Sequence, residues 1–323
     1  MKKYLTILWL AVAALSVSCE KTLDIDDTSA HELVLNGVPS AGKEAFVYFA
    51  QTRFFLDSSV NQPVVGASVT LTVNGTAMQP VREERCKYFF GYNLQEQDEL
   101  EIDVATPDGR TLHAATYVPL FPDVSQFKAT KFDSPSFKLF KVDMSLNDHA
   151  DQDEYYNIVV TERDSGVRFN EWTAEYDTVD TIHATYFLVP YNPNVTSNEV
   201  CPYLPLGGYL YSRIMFMDKN IAGQQEDLQL YILQTIDTNE VEPFKHEYFV
   251  QVESVTPARW NYIISSSQQA SAFSFFAEQG DVWDNVQGGL GIFAGTASRK
   301  YAFMPDTLDV SQSQSPMILK RYE

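Results

Sequence analysis

Cysteine is scarce in this sequence, with three among 323 residues, Cys19, Cys86 and Cys201. No two of them have the Cys-x-x-Cys spacing of a zinc ribbon or a redox motif, so both are excluded. For Cys86 and Cys201 two interpretations stay open: a disulfide, which a location outside the cytoplasm would permit, or two buried thiols.

Basic residues are also few. The chain has 23 Lys and Arg against 43 Asp and Glu, a net charge of −20. Without residues 1–18, which carry two lysines and no acid, the net charge becomes −22. Nucleic-acid binding and adhesion to anionic lipid heads both need clustered basic residues, so both are excluded. The excess of acid predicts a well-solvated, self-repelling surface.

The sequence lacks the motifs of the common catalytic chemistries. His-Glu occurs at 31–32 and at 246–247, but neither pair has the second His of a metalloprotease helix. Gly-x-Ser-x-Gly and a phosphate-binding loop are absent. Residues 289–294 match a dinucleotide fingerprint formally, but too little chain follows to complete a βαβ unit. We therefore predict no cofactor and no enzymatic activity; a hydrolase with an unrecognised carboxylate pair is kept as a third hypothesis.

Only one long apolar run is present, Tyr4–Val17, after Lys2 and Lys3 and just before Ser18-Cys19. This layout is typical of a bacterial lipoprotein signal peptide that ends at a lipidated cysteine. The run is shorter than the ~20 residues of a membrane span. The alternatives are a secreted protein with an incidental Cys19 or an uncleaved anchor. We expect residues 1–18 to be removed, Cys19 to carry the lipid, and residues 19–30 to form an acidic tether.

Short alternating segments and frequent turns predict an all-β chain. Together, 18 Tyr and 21 Phe suit sandwich cores. Residues 31–122 are predicted to form an immunoglobulin-like β-sandwich of six or seven strands, with an Asn74-Gly75 hairpin. Pro119 and Pro122 mark its end. The strands are predicted at Leu33–Val38, Ala45–Thr52, Ala67–Val73, Tyr88–Tyr92, Glu99–Ala105 and Thr111–Val118.

Residues 123–304 are predicted to form a larger β-rich sandwich, followed by a C-terminal tail at 305–323. A covering helix is expected at 257–269, with Thr256 as its cap and Pro257 in its first turn. Prolines interrupt the pattern between 163 and 227, which indicates functional loops or unrecognised elements. The clear strands are Phe137–Leu146, Glu154–Glu162, Leu228–Ile236, Glu247–Val255, Leu290–Ala294 and one near Tyr301–Phe303.

Two segments hold candidate binding residues. The acidic loop at 147–154 offers Asp148, Asp151 and Asp153 as a weak calcium candidate, against the alternative of a solvated turn. Residues 169–217 are rich in aromatic side chains, which either bind a ligand from loops or fill a core. The ligand-binding candidates are Trp172, Tyr176, Tyr191, Tyr203 and Tyr209.

Four segments resemble a family of Bacteroidota outer-membrane lipoproteins known as domain of unknown function 4249. They are Cys19–Asp26, Asp153–Ile158, Val252–Tyr262 and Asn285–Ala294. The last contains Gly288-Gly289-Leu290-Gly291, a structural signature in which glycines allow backbones to approach closely before a buried strand. The resemblance implies an outer-membrane location, an immunoglobulin-like module and a larger β-rich part. It also implies a TonB-dependent transporter as a partner, and it transfers no catalytic residue.

The leading hypothesis is a lipid-anchored, non-enzymatic protein that captures a glycan or peptide ligand, or assists a TonB-dependent transporter. The alternative is a structural or adhesive surface protein without a small-molecule site. Acidic residues after Cys19 resemble the signal that sends such lipoproteins to the cell surface, so that face of the outer membrane is favoured over the periplasmic face.

Overall fold

Strands make up most of the structure. The computed structural model describes residues 31–52, 63–133, 137–149, 153–190, 192, 194–195, 212–221, 223–235, 237–271 and 281–311. Within these ranges it has eighteen β-strands in four sheets, one α-helix and two short 3-10 turns. The four sheets pack as two β-sandwiches, which confirms the predicted fold class.

The first eight strands build the first sandwich. Two of them meet at Asn74-Gly75, where both residues have positive φ, as the hairpin prediction requires. The eight strands are β1 (Leu33–Gly37), β2 (Glu44–Gln51), β3 (Ser68–Val73), β4 (Thr76–Met78), β5 (Arg82–Glu84), β6 (Lys87–Asn93), β7 (Glu99–Ala105) and β8 (Thr111–Tyr117).

The second sandwich uses the strands that follow. They are β9 (Asp123–Asp133), β10 (Phe137–Asn147), β11 (Tyr155–Asn170), β12 (Glu175–Ala184), β13 (Phe187–Leu188), β14 (Arg213–Met217), β15 (Gln225–Thr235) and β16 (Glu240–Val255). After α1 (Pro257–Ser271) come β17 (Leu290–Phe293) and β18 (Thr296–Phe303). One sheet has the order β13-β15-β10-β9, and the other has β12-β11-β16-β18 with β14 also paired to β11.

Strand β17 returns to the first sandwich, so that module is not closed by residues 31–122 alone. Its two sheets have the orders β17-β1-β2-β6-β5 and β4-β3-β7-β8. Strand β17 pairs with β1 in parallel, and Phe293 and Ala297 are buried in the same core as Leu35 and Phe49. The domain boundary predicted at 122/123 therefore misses this segment, because the pairing joins residues about 250 positions apart.

A second apolar core fills the other sandwich. Strand β11 contributes Tyr156, Ile158 and Val160 to it, and β16 contributes Tyr248, Val250 and Val252. The alternate residues of both strands face the other way. Helix α1 covers that second face, where Trp260 and Ile263 pack on Met215 and Val255.

Helix α1 begins as predicted and runs two residues beyond its predicted end. Thr256 accepts a hydrogen bond at its hydroxyl from the amide of Arg259, which confirms its role as the cap. No helix in the described ranges combines the length and the apolar character that crossing a bilayer demands.

In its described residues, the stretch between 163 and 227 contains strands that were not predicted. Strand β11 continues to Asn170 and turns into β12, while β13 and β14 follow. Strand β16 likewise starts at Glu240 instead of Glu247, and β9 was not predicted. Strand β12 and the first part of β16 were missed because many of their residues are charged or exposed, so they lack the apolar alternation that marks a half-buried strand. Strands β13 and β14 are mostly buried but have only two and five residues.

Replacing Gly295 with alanine should destabilise the fold strongly. A Cβ there would lie 1.8 Å from the carbonyl oxygen of Tyr117, and that backbone atom cannot move away cheaply. We expect Gly295→Ala to lower the free energy of unfolding by about 3 kcal/mol or more in urea titrations. Gly75→Ala is the control: it has a φ of +77° but open space around it, so it should cost only about 1 kcal/mol. Equal losses would show that the contact at Gly295 is not tight.

Candidate functional site

The hairpin of β11 and β12 carries two of the predicted aromatic candidates. Its turn spans residues 171–174, and Trp172 in that turn is 99% exposed. The side-chain oxygen of Asn170 accepts hydrogen bonds from the amides of Trp172 at 3.0 Å and Thr173 at 3.4 Å. These bonds hold the backbone of the turn, so the indole is presented to solvent from an ordered support.

A groove with a volume of about 380 Å³ lies beside this turn. Its size is within the range of small-molecule sites, about 300–1,000 Å³. Its amide and carboxylate groups are already ordered: Asn170 donates to Asp177 at 2.9 Å, and Asn239 donates to Glu171 at 3.1 Å. The groove is lined by Arg168, Phe169, Asn170, Glu171, Trp172, Asp177, Val179 and Asn239.

The second aromatic candidate supports the groove from behind. Tyr176 is 67% exposed, and its ring packs on Phe169 with 5.2 Å between centroids. Phe169 is itself a wall of the groove. Trp172 and Tyr176 therefore belong to the same hairpin tip. Tyr191, Tyr203 and Tyr209 lie outside the described residues.

Beneath the groove, Arg168 reaches into a set of charged side chains that we call the charge cluster: Glu162, Asp164, Arg168, Glu240 and His246. Glu162 and Asp164 follow Tyr156, Ile158 and Val160 on the core-facing side of β11, since side chains alternate along a strand. His246 holds the matching position on β16. The apolar core thus gives way to charge toward the hairpin tip.

His246 is the centre of the charge cluster. Its Nδ1 lies 2.9 Å from both Glu162 Oε1 and Asp164 Oδ1, and its Nε2 lies 3.1 Å from Glu240 Oε2. Arg168 is 3.0 Å from Glu240 and 3.3 Å from Asp164. The two cationic side chains therefore bridge three carboxylates that would otherwise repel one another.

The surrounding charges keep His246 protonated. Burial alone would lower the pKa of His246, but the hydrogen bond to Glu162 and the charge of Glu240 outweigh it and raise the pKa to about 9. For Glu162, burial would raise the pKa; hydrogen bonds from His246 and Tyr248 hold the pKa of this carboxyl below its usual value instead. The pair is thus an ion pair at neutral pH.

The atoms of Glu162, Asp164 and His246 that could bind a cation lie within 4.8 Å of one another. In the described part of the chain no other group of three such side chains has this spacing. The protonated imidazole already supplies the positive charge that these carboxylates require.

Sequence motifs could not find the cluster, because His246 is more than 80 residues from both carboxylates. The sequence feature that could have indicated the cluster is the placement of Glu162 and Asp164 at positions of β11 that face the core.

The structure describes two of the three calcium candidates. Asp148 accepts hydrogen bonds from the hydroxyl of Tyr156 at 2.9 Å and the amide of Gly223 at 2.8 Å. Burial raises the pKa of Asp148. Asp153 is exposed. Asp151 lies outside the described residues, so the calcium site stays a prediction.

A second cavity of about 620 Å³ lies between α1 and residues 281–284. Trp260 and Trp283 are among its walls. Trp260 is nearly buried and packs against Tyr155 with 5.5 Å between ring centroids, so it serves the core. Neither of the two described ligand-binding candidates, Trp172 and Tyr176, lines this cavity. The groove beside Trp172 is therefore the stronger candidate.

Comparison with known proteins establishes the family. The family model described as "Domain of unknown function (DUF4249)" matches residues 20–302, so the chain belongs to that family. No curated protein matches the chain. One solved structure that it resembles is described as a "putative carbohydrate binding protein" from Bacteroides uniformis. That match has 9% identity and a TM-score of 0.18 over 70% of this chain and 90% of the other, which is too slight to carry an argument.

The charge cluster makes stability depend on alkaline pH. Because the pKa of His246 rises from 6.5 to about 9 on folding, its contribution is complete below pH 6.5 and is lost as the pH rises through about 9. This difference between the two pKa values corresponds to a contribution of about 3 kcal/mol to the free energy of unfolding. We expect His246→Gln to be less stable than the wild type at neutral pH, and the difference to vanish above about pH 9 in urea titrations.

His183→Gln is the matched control for this prediction. The His183 side chain is half exposed, and its Nε2 lies 3.6 Å from Glu162 Oε2, at the edge of the cluster. Its replacement removes a histidine but leaves His246 between its carboxylates. This variant should keep the alkaline transition of the wild type. A difference between wild type and His246→Gln that does not change with pH would contradict the assigned ion pair.

Proposed function

We propose that this member of the DUF4249 family is a non-enzymatic ligand-capture protein whose binding site is the groove beside Trp172. The observation that carries the proposal is a fully exposed indole on an ordered turn, next to a groove of suitable size. Exposing a large aromatic side chain to water is unfavourable, and such side chains commonly serve as binding anchors.

The lining of the groove favours a ligand with one flat apolar face and several hydrogen-bonding groups. Trp172 and Phe169 offer ring surfaces, while Asn170, Asp177 and Asn239 offer amide and carboxylate groups. A glycan meets both requirements, and so does a short peptide with an aromatic or proline side chain. Capture of either class is compatible with this chemistry.

The arrangement of the carboxylates supports binding over hydrolysis. A glycosidase needs two carboxyl groups that face a common space for substrate. Glu162 and Asp164 are buried, and both are engaged with His246. In the groove, Glu171 and Asp177 are each bonded to an asparagine. Each of these four carboxylates therefore already has a hydrogen-bond partner within the protein.

The proposed location is the outer membrane, with the lipid on Cys19 as the anchor and the cell-surface face favoured. The layout of residues 1–19 and the acidity of the body support this proposal, because so acidic a surface does not adhere to anionic lipids by charge. Cys19 lies outside the described residues. A TonB-dependent transporter is the proposed partner, and tagged protein extracted in detergent should recover it.

Replacing Trp172 should abolish capture without affecting the fold. The probe is a panel of immobilised oligosaccharides and short peptides, presented to the chain from residue 20 onward. For any member that the wild type binds, we expect Trp172→Ala to raise the dissociation constant at least about tenfold and to leave the unfolding midpoint unchanged.

Tyr186→Ala is the control for this substitution, because Tyr186 is also an exposed aromatic residue but does not line the groove. Its binding should equal that of the wild type. A panel on which the wild type binds nothing would support the alternative of a structural or adhesive protein. Binding that survives Trp172→Ala would exclude the groove beside Trp172 as the binding site.

Replacing Cys19 with serine tests the anchor separately. A thiol is required for lipid attachment, so Cys19→Ser should lose incorporation of radiolabelled fatty acid and move from the membrane fraction to the soluble fraction. Ser18→Ala, which keeps the thiol, is the control and should stay in the membrane fraction. Unchanged labelling of Cys19→Ser would exclude this residue as the attachment site.

A further inference from the structure

Strand β12 is a long sheet edge open to solvent. It is the terminal strand of the sheet β12-β11-β16-β18 and is ten residues long. Nine of its residues are exposed and Val179 is half-buried. One row of its backbone amides and carbonyls pairs with β11, and the opposite row faces outward. Such a row can pair with another extended chain.

Other edge strands of the described structure have features that discourage such pairing. Strands β4, β5 and β13 have three residues or fewer. Strand β9 carries Lys128 and Lys131, and β18 carries Arg299 and Lys300. Short length and basic side chains are the usual protections of a sheet edge.

Strand β8 has no lysine or arginine, but a neighbouring segment is hydrogen-bonded to it. The amide of His113 donates to the carbonyl of Gln287, and the amide of Gln287 donates back. Among the described residues no segment pairs with the outer side of β12. Its sequence, EYDTVDTIHA, contains no lysine, arginine or proline. Its Thr178, Val179, Thr181 and Ile182 are instead residue types that favour strands.

The side chains of β12 form two rows of different character. On one face Tyr176, Thr178 and Ile182 lie across from Phe169, Val167 and Arg163 of β11. On that face Val167, Tyr176, Ile182 and Val241 are all exposed apolar residues. On the other face lie Glu175 and Asp177. The first face also carries Asp180, which is paired with Arg163. A strand added to β12 would therefore meet a mainly apolar row on one face and the side chains of Glu175 and Asp177 on the other.

The acidic side chains of β12 determine which charge a strand that pairs with it should carry. Strand β12 has three carboxylates and, as its basic residue, only His183. Arg163 pairs with Asp180 at 2.9 Å. Within the described residues neither Glu175 nor Asp177 forms an ion pair with lysine or arginine. A second copy of β12 would bring more acid to this edge, so pairing between two copies is disfavoured.

We propose that β12 is a docking edge for an extended, basic segment of a partner protein, which pairs with it as an additional strand. Lysine or arginine side chains of that segment lie beside Glu175 and Asp177, and β-branched or aromatic side chains lie beside Tyr176 and Ile182. Main-chain hydrogen bonds supply affinity and the two rows supply specificity, as in other cases of strand addition. The edge shares Asp177 and Val179 with the lining of the groove, but its partner would bind through the backbone of β12, whereas the ligand of the groove would contact Trp172.

The test uses synthetic peptides and the chain from residue 20 onward. The probe is a capped peptide about nine residues long that alternates lysine and valine, which matches the length of β12. One comparison peptide has glutamate in place of lysine. Another is the lysine peptide with N-methyl groups on its central amides, which removes their hydrogen-bond donors.

We expect the wild type to bind the lysine peptide at least about tenfold more tightly than the glutamate peptide, and not to bind the methylated one. Bound lysine peptide should slow amide hydrogen exchange within residues 175–184. In the double variant Glu175→Lys/Asp177→Lys the preference should reverse.

The matched control is Glu99→Lys/Glu101→Lys on β7, which makes the same change in net charge on exposed positions of a strand with neighbours on both sides. It should keep the preference of the wild type. Binding that survives N-methylation, or that leaves exchange at 175–184 unchanged, would show only diffuse attraction to an acidic surface. Either result, or the absence of binding, would overturn the proposal. Binding of the Trp172→Ala variant to the peptide should be unchanged, which separates this edge from the groove.

Discussion

Close backbone contact between residues 290–297 and the first sandwich determines how the chain is built. Strand β17 pairs with β1, the amide of Ala294 donates to the carbonyl of Gly37, and the amide of Thr296 donates to the carbonyl of Pro39. Two residues after β17, strand β18 pairs with β16 in the other sandwich. One short segment therefore belongs to a sheet of each sandwich. Such proximity requires glycine at 291 and 295, where any Cβ would collide with a carbonyl oxygen.

The second sandwich changes character along its length. Near α1, β11 and β16 bury aromatic and branched side chains; near the hairpin tip they bury carboxylates with His246 and Arg168 between them. Exchanging a whole buried ion pair for apolar side chains changes stability little, because desolvation offsets most of the attraction, whereas removing one partner, as in His246→Gln, leaves buried carboxylates unpaired. The paired groups also have a positional effect. They join β11 to β16 beyond the end of the apolar core, and thereby support the part of the hairpin that carries the groove.

The hairpin offers two surfaces with different chemistry. Its tip has an exposed indole on a hydrogen-bonded turn and amide groups beside a groove, which suit a compact ligand. Its free edge has backbone groups and an acidic row, which suit an extended chain. Both surfaces exist because β11 and β12 extend past the apolar core. Beyond the core the two strands still pair with each other, but the opposite sheet no longer packs against them.

Much of this architecture was accessible from the sequence. The alternation in residues 68–73 and 99–105 is visible directly, as are the Asn74-Gly75 turn and the cap at Thr256, because each depends on residues close together in the chain. Trp172 and Tyr176 were identified as binding candidates from aromatic content alone, without the groove that connects them. The pairing of His246 with Glu162, the return of β17 to β1 and the open edge of β12 were not accessible. Each is set by which strands become neighbours, and that depends on contacts between distant residues that no local pattern encodes.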